Sequence, residues 1–306
     1  MRRRPFLGAV GAALAAGCSG RSRPVATRTE RPTPPANVTT ITDTKPLPTP
    51  DGDGGRRAAL SFVEMHERRF VYNELVGGFG TAQPAISIDV GPVHAAVVRA
   101  TDRGHYLLST CSGSARYYDP DGSPSGASRN AASVAHFVGP DTHRRIPFNA
   151  YRCREAVLAA SEASDRDRET AGARFQIYDF DTPPEYDRPE EGGRAVEVTV
   201  SGSDGERVLD RSYRTSLPLT VQPGITETPG TYTLSATLDG GASVRREWTL
   251  PDSRTPSWWG MAVLITNGGG IAFQSFYPNE TVGVPRGTLC RRRPEGSVDE
   301  STALDR

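Results

Sequence analysis

Period-two alternation of apolar and polar residues constrains this chain most. Val196, Val198 and Val200 alternate with Glu197 and Thr199. Tyr232, Leu234, Ala236 and Leu238 alternate with Thr233, Ser235 and Thr237. Successive side chains of a strand point to opposite faces, so this pattern reads as half-buried strands. Turn signals space them: Asp239-Gly240-Gly241 ahead of Val244 and Trp248–Leu250, and Asn267-Gly268-Gly269-Gly270 between Met261–Thr266 and Ile271–Phe276. Phe175–Phe180 is suited to open the sheet. Six to eight short strands without a helical period predict a β-sandwich over residues 173–290.

The preceding region, residues 56–172, reads as α+β. Residues 56–77 lack proline and end at Gly77-Gly78, predicting a helix of about six turns. Leu60, Val63, Phe70, Val71 and Leu75 share one face. Glu64, Glu67 and Glu74 fall in or beside that stripe and are expected on its rim, because carboxylates are almost never buried unpaired; the alternative is that one or two face a pocket. Ile86–Val90, Val93–Arg99, His105–Tyr118, Ser133–Gly139 and Ile146–Cys153 read as strands. Asp119–Asn130 reads as a polar loop, residues 139–143 as a turn, and Glu155–Arg168 as a polar helix or linker. The expected architecture is one helix on an antiparallel sheet of three to five strands. The whole chain is then mainly β.

Only 36% of the 306 residues are apolar, which implies that part of the chain packs no core. Residues 19–55 account for it. They hold Thr-Pro-Pro, Leu-Pro-Thr-Pro and Asp-Gly-Asp-Gly-Gly without periodicity, and read as a disordered, extended stalk. At ~3.1 Å per residue, such a spacer reaches on the order of 100 Å. Residues 291–306 read as a polar, disordered tail.

The first eighteen residues carry an address. Arg2–Arg4 form a positive start, and Phe6–Ala16 an apolar run too short for a membrane span, which needs ~20 residues. Arg3, Arg4, Phe6 and Leu7 resemble the twin-arginine export signal, and Ala15-Ala16-Gly17-Cys18 resembles a lipobox with Ala15 where Leu is usual. That resemblance implies that residues 1–18 are a signal peptide and that Cys18 is diacylated to become the new amino terminus. Two acyl chains anchor a protein stably. Leader, cysteine and Thr/Pro-rich stalk together resemble the twin-arginine-exported lipoproteins of halophilic archaea. Pro229-Gly230-Thr231-Tyr232-Thr233-Leu234 resembles the strand entry of immunoglobulin-like surface modules, in which the Tyr packs in the core. The implied location is the outer face of the cell membrane. Asn37 and Asn279 head N-glycosylation sequons.

The chemistry-bearing residues form few patterns. With Cys18 lipidated, Cys111, Cys153 and Cys290 remain. Cys111 with Cys153 is the favoured disulfide if their strands are neighbours, against Cys153 with Cys290 or none. His66, His94, His105, His136 and His143 lack zinc-ligand spacing, so no metal is expected. Gly122-Ser123-Pro124-Ser125-Gly126 puts proline where a nucleophile elbow needs serine. Asp119-Pro120-Asp121-Gly122-Ser123 lacks the later positions of a calcium loop and reads as a turn. No phosphate loop or dinucleotide fingerprint appears, so no cofactor is expected. Zero net charge, with 36 basic and 36 acidic residues, gives no field for nucleic acid. Trp258 and Trp259 are candidates for an exposed binding patch, with sheet packing the alternative. The expected function is a membrane-anchored, non-catalytic binding or scaffold module with a surface protein or glycan as partner. The alternative is an extracytoplasmic hydrolase or redox enzyme, with a cleft in 56–172 where Glu64, His66, Glu67, Tyr117, Tyr118 or a free Cys converge.

Overall fold

The computed structural model describes residues 39–52, 55–78, 84–119, 122–148, 152–153, 173–181, 193–215, 217–252 and 260–274. Among the described residues, the chain is mainly β, with one helix and several antiparallel pairings. A helix, α1 (Arg56–Val76), is followed by β1 (Ser87–Val90), β2 (His94–Thr101), β3 (Gly104–Tyr118), β4 (Pro124–Val138) and β5 (His143–Pro147). These five strands form one antiparallel sheet in the order β1-β3-β4-β5, with β2 also paired to β3. Strand β3 is long enough to hold both: its first half pairs with β2 and its last residues with β1. A bulge between Cys111 and Gly113 separates the halves.

A second sheet gathers β6 (Arg152–Cys153), β7 (Arg174–Asp179), β10 (Leu219–Gln222), β13 (Gly260–Thr266) and β14 (Gly270–Gln274), in the order β14-β13-β7-β10-β6. A third has β8 (Ala195–Ser201), β9 (Arg207–Arg214), β11 (Gly230–Leu238) and β12 (Ser243–Leu250), in the order β12-β11-β8-β9. The alternating valines of β8 and the Tyr232–Leu238 stripe of β11 face the second sheet's Phe175, Ile177, Val263 and Ile265. That is the predicted sandwich. Tyr232 is buried as expected, and its hydroxyl donates back to the Thr228 carbonyl at 2.9 Å, fixing the corner. Gly230, at φ 151°, occupies backbone that favours glycine at the turn before it.

The second sheet is buried on both faces. Tyr178, Leu219, Val221, Ala262 and Leu264 point away from the sandwich into Tyr106, Leu108, Ala135, Phe137 and Ile146 of the first sheet. Met261–Ile265 is therefore a continuous apolar run rather than an alternating one. Helix α1 covers the remaining face of the first sheet through Ala59, Phe62, Val63, Val71 and Leu75. The layers run helix, sheet, sheet, sheet.

Four expectations change. Residues 39–52, expected within the free stalk, dock on the folded region instead: Ile41 N donates to the Ala85 carbonyl, Lys45 exchanges two bonds with the Asn73 side chain, and Gly52 N donates to the Pro140 carbonyl. Residues 124–130 are the start of β4, so the predicted loop shrinks to a tight turn in which Gly122 N donates to the Asp119 carbonyl. The Cys111–Cys153 disulfide is not formed: Cys111 is a free thiol on β3, while β6 belongs to the second sheet. Their strands are not neighbours, which was the condition for a bridge. Glu67 is not on the rim; it is 1% exposed. Cys18, Cys290, Arg3, Arg4, Phe6, Leu7, Asn37, Asn279, Trp258 and Trp259 lie outside the described residues.

Candidate functional site

The inward stripe of α1 recurs every three or four residues, through Ala59, Phe62, Val63, His66, Glu67, Val71 and Leu75. The middle of that stripe is polar. Beneath it, strand alternation brings selected residues to the helix-facing side of the first sheet. Leu107 pairs with His136, which pairs with Arg145; Val138 pairs with His143; Ser109 lies two positions beyond Leu107. Paired and alternate positions share a face. Two helix residues thus meet four residues from three strands.

Glu67 is the centre. Arg145 clasps it from two nitrogens, Nε to Oε1 at 2.8 Å and Nη2 to Oε2 at 3.0 Å. His66 Nδ1 lies 3.1 Å from Oε1. Burial pushes the Glu67 carboxyl up, but the bonds from His66 and Arg145 and the nearby His136 outweigh it and hold the group well below the usual carboxylate range. His136 Nε2 is 2.7 Å from Ser109 Oγ, and its Nδ1 is 3.1 Å from His143 Nε2. Burial drives the His136 imidazole down to about 3 against the pull of Glu67. Burial also lowers His143, to about 2, helped by His136 and His66. Both rings are therefore neutral above mildly acidic pH, while Glu67 stays charged. Aromatic rings close the cluster. Phe70 lies under the Arg145 guanidinium at 3.9 Å, and Phe62 meets His143 edge-on at 4.9 Å.

Ser109 and His136 have the partners of a nucleophile and its base. Both are 0% exposed, and α1 lies over them, so with the helix in place no substrate reaches the hydroxyl. Among the described residues, no group of three or more His, Cys, Asp or Glu is arranged to hold a metal ion. The Cys111 thiol is buried, and burial with the charge of Glu67 pushes it up to about 11, which suppresses the nucleophilic thiolate.

Of the residues expected to converge, His66 and Glu67 do. Glu64 is exposed on the outer side of α1. Tyr117 instead donates to the Leu75 carbonyl at 2.5 Å, pinning the helix end. Glu74 pairs with Arg129. His94 and His105 stay outside the cluster; His136, His143 and Arg145 join it, and no sequence spacing marks those three as a set. The outer side of α1 forms a groove of about 600 Å³ with residues 45 and 88–90, lined by Lys45, Arg68, Arg69, Glu64, Tyr72 and Met65, among others. None of the helices among the described residues is long and apolar enough to cross a membrane.

Residues 193–280 match the family model of the halobacterial Ig-like domain. The C-terminal sandwich thus contains an immunoglobulin-like domain of the kind found in halophilic archaeal proteins. No curated protein matches the chain significantly. Among solved structures, the major pilin subunit of Bacillus cereus aligns with 55% of this chain and 40% of that one, at 8% identity and a TM-score of 0.19. The chain spans less than half of that pilin, and an overlap of that quality bears on neither fold nor assembly.

Proposed function

We propose that this chain is a non-catalytic module displayed on the outer face of the cell membrane. A twin-arginine leader would export it, a lipid on Cys18 would hold it, and the Thr/Pro-rich segment before residue 39 would raise it toward a surface protein or glycan. The observation that carries the non-catalytic reading is the sealing of Ser109, His136 and Glu67 beneath α1. With α1 in place, this group of chemically capable side chains ties helix to sheet and offers no face to substrate. The halobacterial Ig-like match over 193–280 supports the surface role.

Expression of the full chain in a haloarchaeal host with radiolabelled lipid precursor tests the anchor. Label should follow the intact protein into membranes and vanish in Cys18→Ser. Label that persists in that variant, or full-length protein recovered from cytosol with its leader uncleaved, sinks the tether. A hydrolase activity lost in Ser109→Ala, with the fold intact, would sink the non-catalytic reading.

A further inference from the structure

We infer that the seam between α1 and the first sheet is an acid-released latch: protonation of its buried histidines lifts the helix from the sheet while the two-sheet sandwich stays folded. The geometry carries this. The groups facing the seam are His66, Glu67 and Glu74 from α1, Ser109, Cys111 and Tyr117 from β3, Arg129 and His136 from β4, and His143 and Arg145 from β5. Arg129 answers Glu74 at one end. Glu67 is left to face one guanidinium and three imidazoles, and Arg145 already occupies both of its oxygens. Protons added to His136 or His143 therefore meet a carboxylate already committed to Arg145 and His66.

The hydrogen-bond arithmetic points the same way. A neutral imidazole has one donor and one acceptor nitrogen. With both rings neutral, one of His136 Nδ1 and His143 Nε2 donates across their 3.1 Å contact and the other accepts. One extra proton still leaves that contact made. A second puts two N–H groups face to face and adds a second positive charge within reach of Arg145. Release of α1 gives both rings water, so the released form binds protons that the closed form refuses.

The closed histidines titrate far below the range of a hydrated imidazole. Acid therefore favours release from about pH 6.5 downward. The sign follows from linkage: between the two values the released form holds more protons, so lowering pH draws the equilibrium toward it. Each such histidine contributes about tenfold per pH unit well below pH 6.5, and His136 with His143 about a hundredfold. All five histidines of the chain lie before residue 144, so the sandwich carries no imidazole to titrate, and its buried Asp179 accepts a hydrogen bond from Thr215. Release would bare the helix-facing side of the first sheet, including Leu107, Val138 and the Cys111 thiol.

Hydrogen exchange on the full-length protein from pH 7 to 4.5, divided by the intrinsic rate at each pH, tests the latch. Peptides of α1 should lose protection by about a hundredfold per pH unit at the lower end, while β8 and β11 peptides keep theirs. Reaction of Cys111 with 4,4′-dithiodipyridine, in a Cys18→Ser, Cys153→Ser, Cys290→Ser background, should rise with the same slope. His143→Gln should reduce the slope to about tenfold per unit, and His136→Gln/His143→Gln should nearly abolish it. His94→Gln, outside the seam, should leave it unchanged. The inference is overturned if α1 keeps its protection at pH 4.5, if helix and sandwich lose protection together, or if the glutamine variants keep the full slope. Should the double variant not fold, the wild-type profile and the single variant decide.

Discussion

Glu67→Gln isolates the ion pair at the centre of the seam. The variant keeps the shape and one acceptor, but removes the charge and turns an N–H₂ group toward one Arg145 donor. Arg145 then holds its charge with its side chain only 14% exposed. Breaking a buried pair by removing one partner costs about 3–5 kcal/mol. The lower end applies here, because Arg145 still stacks on Phe70 at 3.9 Å and reaches some water. Urea unfolding should show a loss of about 3 kcal/mol at unchanged slope, and melting should fall by roughly 6–12 °C. Arg145→Met should cost about as much, since it strands the carboxylate. Glu67→Met/Arg145→Met removes both charges, and apolar replacement of a buried pair is often neutral. It still leaves His66 Nδ1 without its acceptor, worth about 1–3 kcal/mol. The double variant should therefore sit about 1–3 kcal/mol below wild type, well short of the summed singles. Singles costing under about 1 kcal/mol each, with a double equal to their sum, would refute the pairing.

Two other substitutions probe the close approach beneath α1 and the corner of the sandwich. In Gly113→Ala the new methyl would sit 2.8 Å from Leu75 Cδ1, 3.0 Å from Val71 Cγ1 and 3.1 Å from the Asp89 carbonyl. The side chains can give way and the β1 backbone cannot, so a loss of about 1–3 kcal/mol is expected in thermal unfolding, and an unchanged midpoint would count against the close approach of α1. Tyr232→Phe removes the bond to the Thr228 carbonyl and should cost about 1 kcal/mol by urea titration; a neutral result would mean the corner is held by packing alone.

The sandwich strands were legible because β8 and β11 each have one face on the core and one outside, which writes period two into the chain. The order of strands was not. Met261–Ile265 is apolar throughout because layers cover it from both sides, and a local pattern cannot say which layers those are. The β3–β4 hairpin reads as a loop over its polar half because residues 125–130 of β4 are exposed or half-buried and carry no alternation of apolar residues. The cluster was half visible. His66 and Glu67 stand three and four residues beyond Val63 and four before Phe70 and Val71, so a polar pair interrupts an otherwise apolar stripe. That interruption was the available signal. The partners that make burial tolerable, Arg145 and His136, come from strands some seventy residues further on, and only register puts them on the same face.

The halobacterial Ig-like match begins at residue 193, yet the strand at the middle of the second sheet, β7, ends at Asp179. It pairs with β13 on one side and β10 on the other. Phe175 and Ile177 enter the sandwich core from it, and Tyr178 enters the core shared with the first sheet. Without β7, the segment that matches the family would carry two facing strands, β10 and β13, with nothing between them, and a core short of two fully buried side chains. Unpaired ladder edges and unfilled apolar volume are both costly. The strand preceding the Ig-like segment is thus structurally part of its sandwich. Because the same strand's opposite face packs on the helix-bearing sheet, the two β regions share their central layer instead of hanging as separate beads. Movement of α1 can therefore leave that layer in place, since the helix touches only the outermost sheet.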